Sequence, residues 1–158
     1  MAFPTTLDTH PVGVRNPAIV RTYAALPAAS AWDAAPIEIA CTPMAVVMFY
    51  MTYLAGDGGT VDFYIEVSPF HEDHLTLQSW YQMSLYAAGA MVAGTDIFSD
   101  IQREVISYQA VGANAEMFVY GPIELSGGVE RIRLVAREVV AAQENPGSFG
   151  VVAVFYIE

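Results

Sequence analysis

From Thr60 to Ser68 the chain alternates with a period of two. Val61, Phe63, Ile65 and Val67 fall on one side; Thr60, Asp62, Glu66 and Ser68 fall on the other, with Tyr64 between them. That spacing fits a strand with one face in a core and does not fit an amphipathic helix. Just before it, Ala55-Gly56-Asp57-Gly58-Gly59 supplies residues that accept positive φ, so a hairpin is expected. The partner strand, Val46 to Leu54, is apolar on both faces: Val47, Phe49, Met51 and Tyr53 against Val46, Met48, Tyr50 and Leu54. Such a strand is either central in a sandwich or turned toward an interface.

The same period recurs downstream. Leu75 to Tyr86 alternates, with Trp80 and Tyr86 on its polar side. Ile101 to Val111 is ambiguous, because Phe98, Ile101, Val105 and Tyr108 also fit a helical stripe and Ser99-x-x-Gln102 fits a capping box. Met117 to Leu125 reads as a strand with Pro122 at a bend or edge. Val129 to Val140 places Ile132, Leu134 and Ala136 inward and Arg131, Arg133 and Arg137 outward. Pro146-Gly147 then centres a type II turn, and Phe149 to Ile157 returns as the closing strand. About eight strands separated by Gly/Pro turns predict an all-β fold, a single antiparallel β-sandwich of jelly-roll type over residues 37–158.

Residues 1–36 hold five of the nine prolines, which denies a helix and predicts an extended arm. The arm is nonetheless apolar, with Phe3, Leu7, Val12, Val14, Ile19, Val20, Tyr23, Leu26 and Trp32. It is expected either to strap its own domain or to reach a neighbouring subunit.

Composition narrows the partners. The chain has no lysine, 15% charged residues against 54% hydrophobic, and a formal net charge of −11 from 17 carboxylates and six arginines. That excess repels phosphate backbones and anionic lipid, so neither nucleic acid nor membrane is expected as a partner. Ile39 to Gly56 is free of charge, but Pro43 interrupts it and Glu38 and Asp57 flank it, unlike a membrane span. The N-terminus has no basic region followed by an apolar one, so no secretory signal is expected. With so little charged cover, part of the apolar surface is expected to lie against other copies or a host particle.

Catalytic patterns are weak. His71-Glu72-Asp73-His74 groups metal-capable side chains, yet only His10 remains as a third imidazole, so a solvated loop is the expected state and no metal is assigned. Cys41 lies in an apolar context that keeps a thiol inert. Asp57 and Asp62 flank a turn that hairpins use without calcium. Asp62 and Glu66 are roughly 13 Å apart by strand rise, too far for a retaining carboxylate pair. No nucleophile elbow, phosphate loop or dinucleotide fingerprint occurs, so neither catalysis nor a cofactor is expected. Trp32, Trp80 and Tyr81 fit either a sugar-stacking platform or core filling. Arg131, Arg133 and Arg137 fit either pairing with an adjacent acidic strand or a latch onto the next copy.

The proline-rich arm through Pro36, the Gly56–Gly59 hairpin, the Trp80 strand and the closing pair around Pro146-Gly147 resemble the small β-sandwich decoration, or cement, proteins of tailed-bacteriophage capsids. The resemblance is one of architecture and carries no functional residues across. It implies a non-enzymatic virion protein on the capsid surface, a homo-oligomer with a trimer preferred, bound to the major capsid protein or another virion protein. A carbohydrate- or receptor-binding module is the alternative. Tyr23, Trp32, Phe49, Tyr53, Trp80, Arg131, Arg133 and Arg137 are the expected interface residues.

Overall fold

The computed structural model describes residues 17–41, 45–69, 80–82, 105–125 and 129–157. Among these the secondary structure is entirely β: β1 Ala18–Ala25, β2 Ile39–Ala40, β3 Ala45–Leu54, β4 Thr60–Ser68, β5 Tyr81–Gln82, β6 Ile106–Gln109, β7 Glu116–Glu124, β8 Arg131–Glu138 and β9 Ser148–Ile157. Two antiparallel sheets face each other. The first has the order β1-β9-β3-β7; in the second, of order β2-β8-β4-β5, β6 also pairs with β4.

The pairings are nested. β1 pairs with β9, β2 with β8, β3 with β7, and β4 with β5 and β6; β3 then also meets β9 and β4 meets β8. Alternation explains what fills the space between the sheets. Val47, Phe49, Met51 and Tyr53 of β3 point inward against Phe149, Val151, Ala153 and Phe155 of β9. From the other sheet come Val61, Phe63 and Ile65 of β4 and Ile132, Leu134 and Ala136 of β8. Rings meet edge-on in this core, Phe63 against Tyr120 of the facing sheet at 5.5 Å and Tyr53 against its cross-strand neighbour Phe149 at 6.2 Å.

The described part of the expected arm lies against its own chain. Residues 18–25 form the edge strand β1, with Val20 and Leu26 buried in the core. Residues 30–40 then follow the edge of β8: Ser30 Oγ accepts from Val140 N–H, Asp33 N–H donates to Ala136 C=O, and Ile39 pairs with Ile132. Of the ambiguous segment Ile101 to Val111, residues 106–109 are strand, because they add to the edge of β4. Only Tyr81–Gln82 of the expected strand at Leu75 to Tyr86 lie in a described strand. His10, the His71–His74 group and the expected capping box lie outside the described residues.

The two sheets are locked at one end by Glu138, whose position on β8 aims it inward. Its carboxylate is fully buried and accepts four backbone N–H bonds. Gly58 N and Gly59 N donate at 2.8 and 3.0 Å, Gly56 N at 3.2 Å, and Gly147 N at 2.7 Å. The β3–β4 and β8–β9 turns are thus tied to one side chain. Glycine is required for the close approach: a Cβ on Gly147 falls 2.0 Å from Leu54 C=O, and one on Gly58 falls 2.3 Å from Val139 C=O.

Candidate functional site: the two outer faces

Among the described residues, the outer faces of the two sheets differ in kind. On the second sheet the register sets opposite charges directly across from each other: Asp62 faces Arg137, and Glu66 faces Arg133. Arg133 Nε donates to Glu66 Oε2, Arg137 lies 3.5 Å from Asp62, and Arg131 Nη1 donates to Glu38 at 2.8 Å. Ser107 Oγ donates to the remaining Asp62 oxygen at 2.6 Å. Two indoles lie against this ladder. The Arg133 and Arg131 guanidinium carbons stand 4.1 and 4.9 Å from the Trp80 ring centre, and Arg137 stands 4.2 Å from that of Trp32. Trp32 in turn meets Tyr64 edge-on at 4.8 Å.

The arginines therefore pair within their own chain. Each cross-strand ion pair contributes roughly 0.2–1 kcal/mol, and each guanidinium on an indole about 0.5–1 kcal/mol at a surface site. Glu38, which reaches both Arg131 and Arg133, was not visible as a partner in the sequence, because it precedes the two-residue strand β2 that carries it there.

The first sheet presents the opposite. Its register aligns Ile19, Val152, Tyr50 and Val119 in one row across all four strands. Val154 and Met48 form the next row, then Tyr156 and Val46. Tyr23 lies against Gly150, whose missing Cβ leaves room for it. Met117 is 84% exposed, Ile19 57%, Val119 50%, Tyr23 48% and Tyr50 43%. The charged side chain in these rows is Glu124, opposite Val46 at one end. The Tyr156 phenol is raised above its ordinary value, chiefly by the neighbouring Tyr50 hydroxyl and then by burial.

Of the expected interface residues, Tyr23 lies on this apolar face, and Trp32, Trp80 and the three arginines lie on the other. Phe49 and Tyr53 require correction. Both are fully buried in the chain's own core, since on β3 they belong to the inward set; Met48 and Tyr50 face out. The Tyr53 hydroxyl is buried without a hydrogen-bond partner, and burial first, then the adjoining Glu138 carboxylate, push its titration well above the ordinary phenol range. Tyr108 is raised also, by desolvation and by Glu116, whose carboxylate holds the 111–112 turn through Val111 N–H at 2.9 Å and Gly112 N–H at 3.1 Å.

The other sequence candidates have structural partners. Asp57 Oδ2 accepts from Asn145 N–H at 2.8 Å, joining the two turns beside Glu138. Cys41 is buried. Arg21, on the edge strand, pairs with Asp33 and donates to the carbonyls of Ala24, Ala25 and Phe149. A shallow groove of about 210 Å³ beside that pair is lined by Val20, Pro36, Ile37 and Leu134. Comparison of the chain with protein-family models, with curated proteins and with solved structures returns no match.

Proposed function

We propose that the protein is a non-enzymatic structural component of a virion, a decoration protein that packs as an oligomer on the capsid surface. The observation that carries this reading is the unequal chemistry of the two outer faces. One is closed by ion pairs and stacked indoles, while the other is an apolar four-stranded surface with its charge confined to one end. A soluble monomer rarely exposes a contiguous apolar patch beyond roughly 300–600 Å², and larger ones mark contact surfaces.

We read the fold as a jelly roll. Nested antiparallel pairs, rolled until β9 meets β3 and β8 meets β4, support it. That winding recurs in viral capsid domains, lectins and cupins, so it agrees with the proposal without choosing among chemistries. A sugar-stacking platform finds less support, because one face of each indole already carries a guanidinium.

Mass spectrometry of purified particles from the virus or host that carries this gene is the test. The expected result is the chain in the particles at stoichiometric copy number. Its absence from them, with binding of the isolated protein to a glycan array, overturns the proposal in favour of the carbohydrate-binding alternative.

A further inference from the structure

Taking the apolar face to be a contact surface, as the proposed function does, we propose that its occupant is a second copy of this chain, seated face to face about a two-fold axis near Tyr50 and Val152.

Size is the first argument. Four strands spaced about 4.8 Å apart, the longest of ten residues rising about 3.4 Å each, give a face of roughly 19 by 34 Å. Its projection of about 650 Å² is close to the about 800 Å² that each partner contributes to a stable standard interface.

Charge is the second. The chain carries −11 overall, so two copies repel wherever their acidic surfaces meet. The rows of this face place one carboxylate, Glu124, at the end, and the rest are apolar residues, Thr52 and Gly150. Face-to-face docking therefore joins two copies where their repulsion is least.

The edge strand β1 favours a face over an edge as the joint. Its pairing with β9 shifts register twice, and the Arg21 guanidinium occupies the carbonyls of Ala24 and Ala25, which leaves a poor template for an added strand. Two sheets packed about 10 Å apart, with side chains interdigitating, repeat between copies the arrangement that already holds each sandwich together. An isologous contact of this kind brings row Ile19-Val152-Tyr50-Val119 of one copy over the same row of the other.

Sedimentation of the intact chain at micromolar concentration, with three variants, tests this. The wild type and Val139→Lys, a substitution at an exposed residue of the β8–β9 connection, are expected to sediment at twice the 17.1 kDa protomer. Val152→Lys and Met117→Lys are expected to raise the dissociation constant more than about a hundredfold, because each dimer then buries two unpaired charges. Met117 is 84% exposed in the protomer, so its variant keeps the fold, as circular dichroism will show, even where Val152→Lys does not. A wild-type monomer, a trimer, or a dimer indifferent to Met117→Lys overturns the second-copy occupant. If such a monomer is still found in particles, the structural role stands and only the occupant fails. A dimer sensitive to both substitutions but absent from particles sustains the occupant and removes the virion role.

Discussion

The outer faces of β4–β8 and β3–β9 are built by the same alternation, yet they end in opposite states. On β4 and β8 the outward positions are Asp62, Glu66, Arg133 and Arg137, and antiparallel register sets each charge against its opposite. On β3 and β9 the outward positions are Met48, Tyr50, Val152 and Val154, and register sets apolar groups side by side with no covering layer among the described residues. Among the described residues the first face is paired off within one chain, while the second leaves its apolar groups uncovered, which is what the proposed contact surface rests on. Regular strand geometry alone does not distinguish a face that is complete from one built to be used; the identity of the outward residues does.

That contrast depends on the two sheets holding their relation, which Glu138 enforces. Glu138→Ala leaves the buried Gly147 N–H without its acceptor, at about 1–3 kcal/mol, and removes the charged acceptor from the part-buried N–H groups of Gly56, Gly58 and Gly59, which water can reach. Urea denaturation should show the unfolding free energy reduced by about 2–5 kcal/mol. Near-wild-type stability would mean that the turns are held by something other than this carboxylate.

The closed face is expected to respond in stability alone. Arg133→Ala removes the stacking on Trp80 and the pair with Glu66, for about 1–2 kcal/mol. In a double-mutant cycle with Glu66→Ala the coupling should be about 0.5–1 kcal/mol. If Arg133→Ala instead abolished association at unchanged stability, this face would be an interface and the comparison would invert.

Alkali offers a milder probe of the core between the faces. The buried Tyr53 phenol holds its proton above the ordinary value of 10.0. As pH rises through about 10, the unfolded chain releases that proton and the folded one does not, so stability present below that pH falls above it. Tyr53→Phe should flatten this alkaline loss and cost little at neutral pH, because the hydroxyl has no hydrogen-bond partner. The smallest stability effect belongs to the apolar face: Met117→Lys should change protomer stability by less than about 0.5 kcal/mol.

Much of the fold could be read from the residues, for stated reasons. Alternation in Thr60–Ser68 fixed both its inward set and its charged set, and Asp57-Gly58-Gly59 marked its turn. The outward arginines of β8 could be named, but not their partners, since strand pairing brings together Glu66 and Arg133, 67 residues apart. On β3 both faces are apolar, so period two does not say which one meets the core, and Phe49 and Tyr53, expected at an interface, are interior. Glu138 follows the same inward alternation as Ile132, Leu134 and Ala136. A carboxylate at that position becomes intelligible only when the glycine turns from two distant hairpins converge on it.

Hydroxyl-radical footprinting of the protein, dilute and assembled, tests the central claim that one face is used and the other is closed. The account predicts that Tyr23, Tyr50 and Met117 lose reactivity on assembly, while Trp32 and Trp80, already stacked under guanidinium groups, stay as they were. Protection of Trp32 and Trp80, with Tyr50 and Met117 still fully reactive, would contradict it.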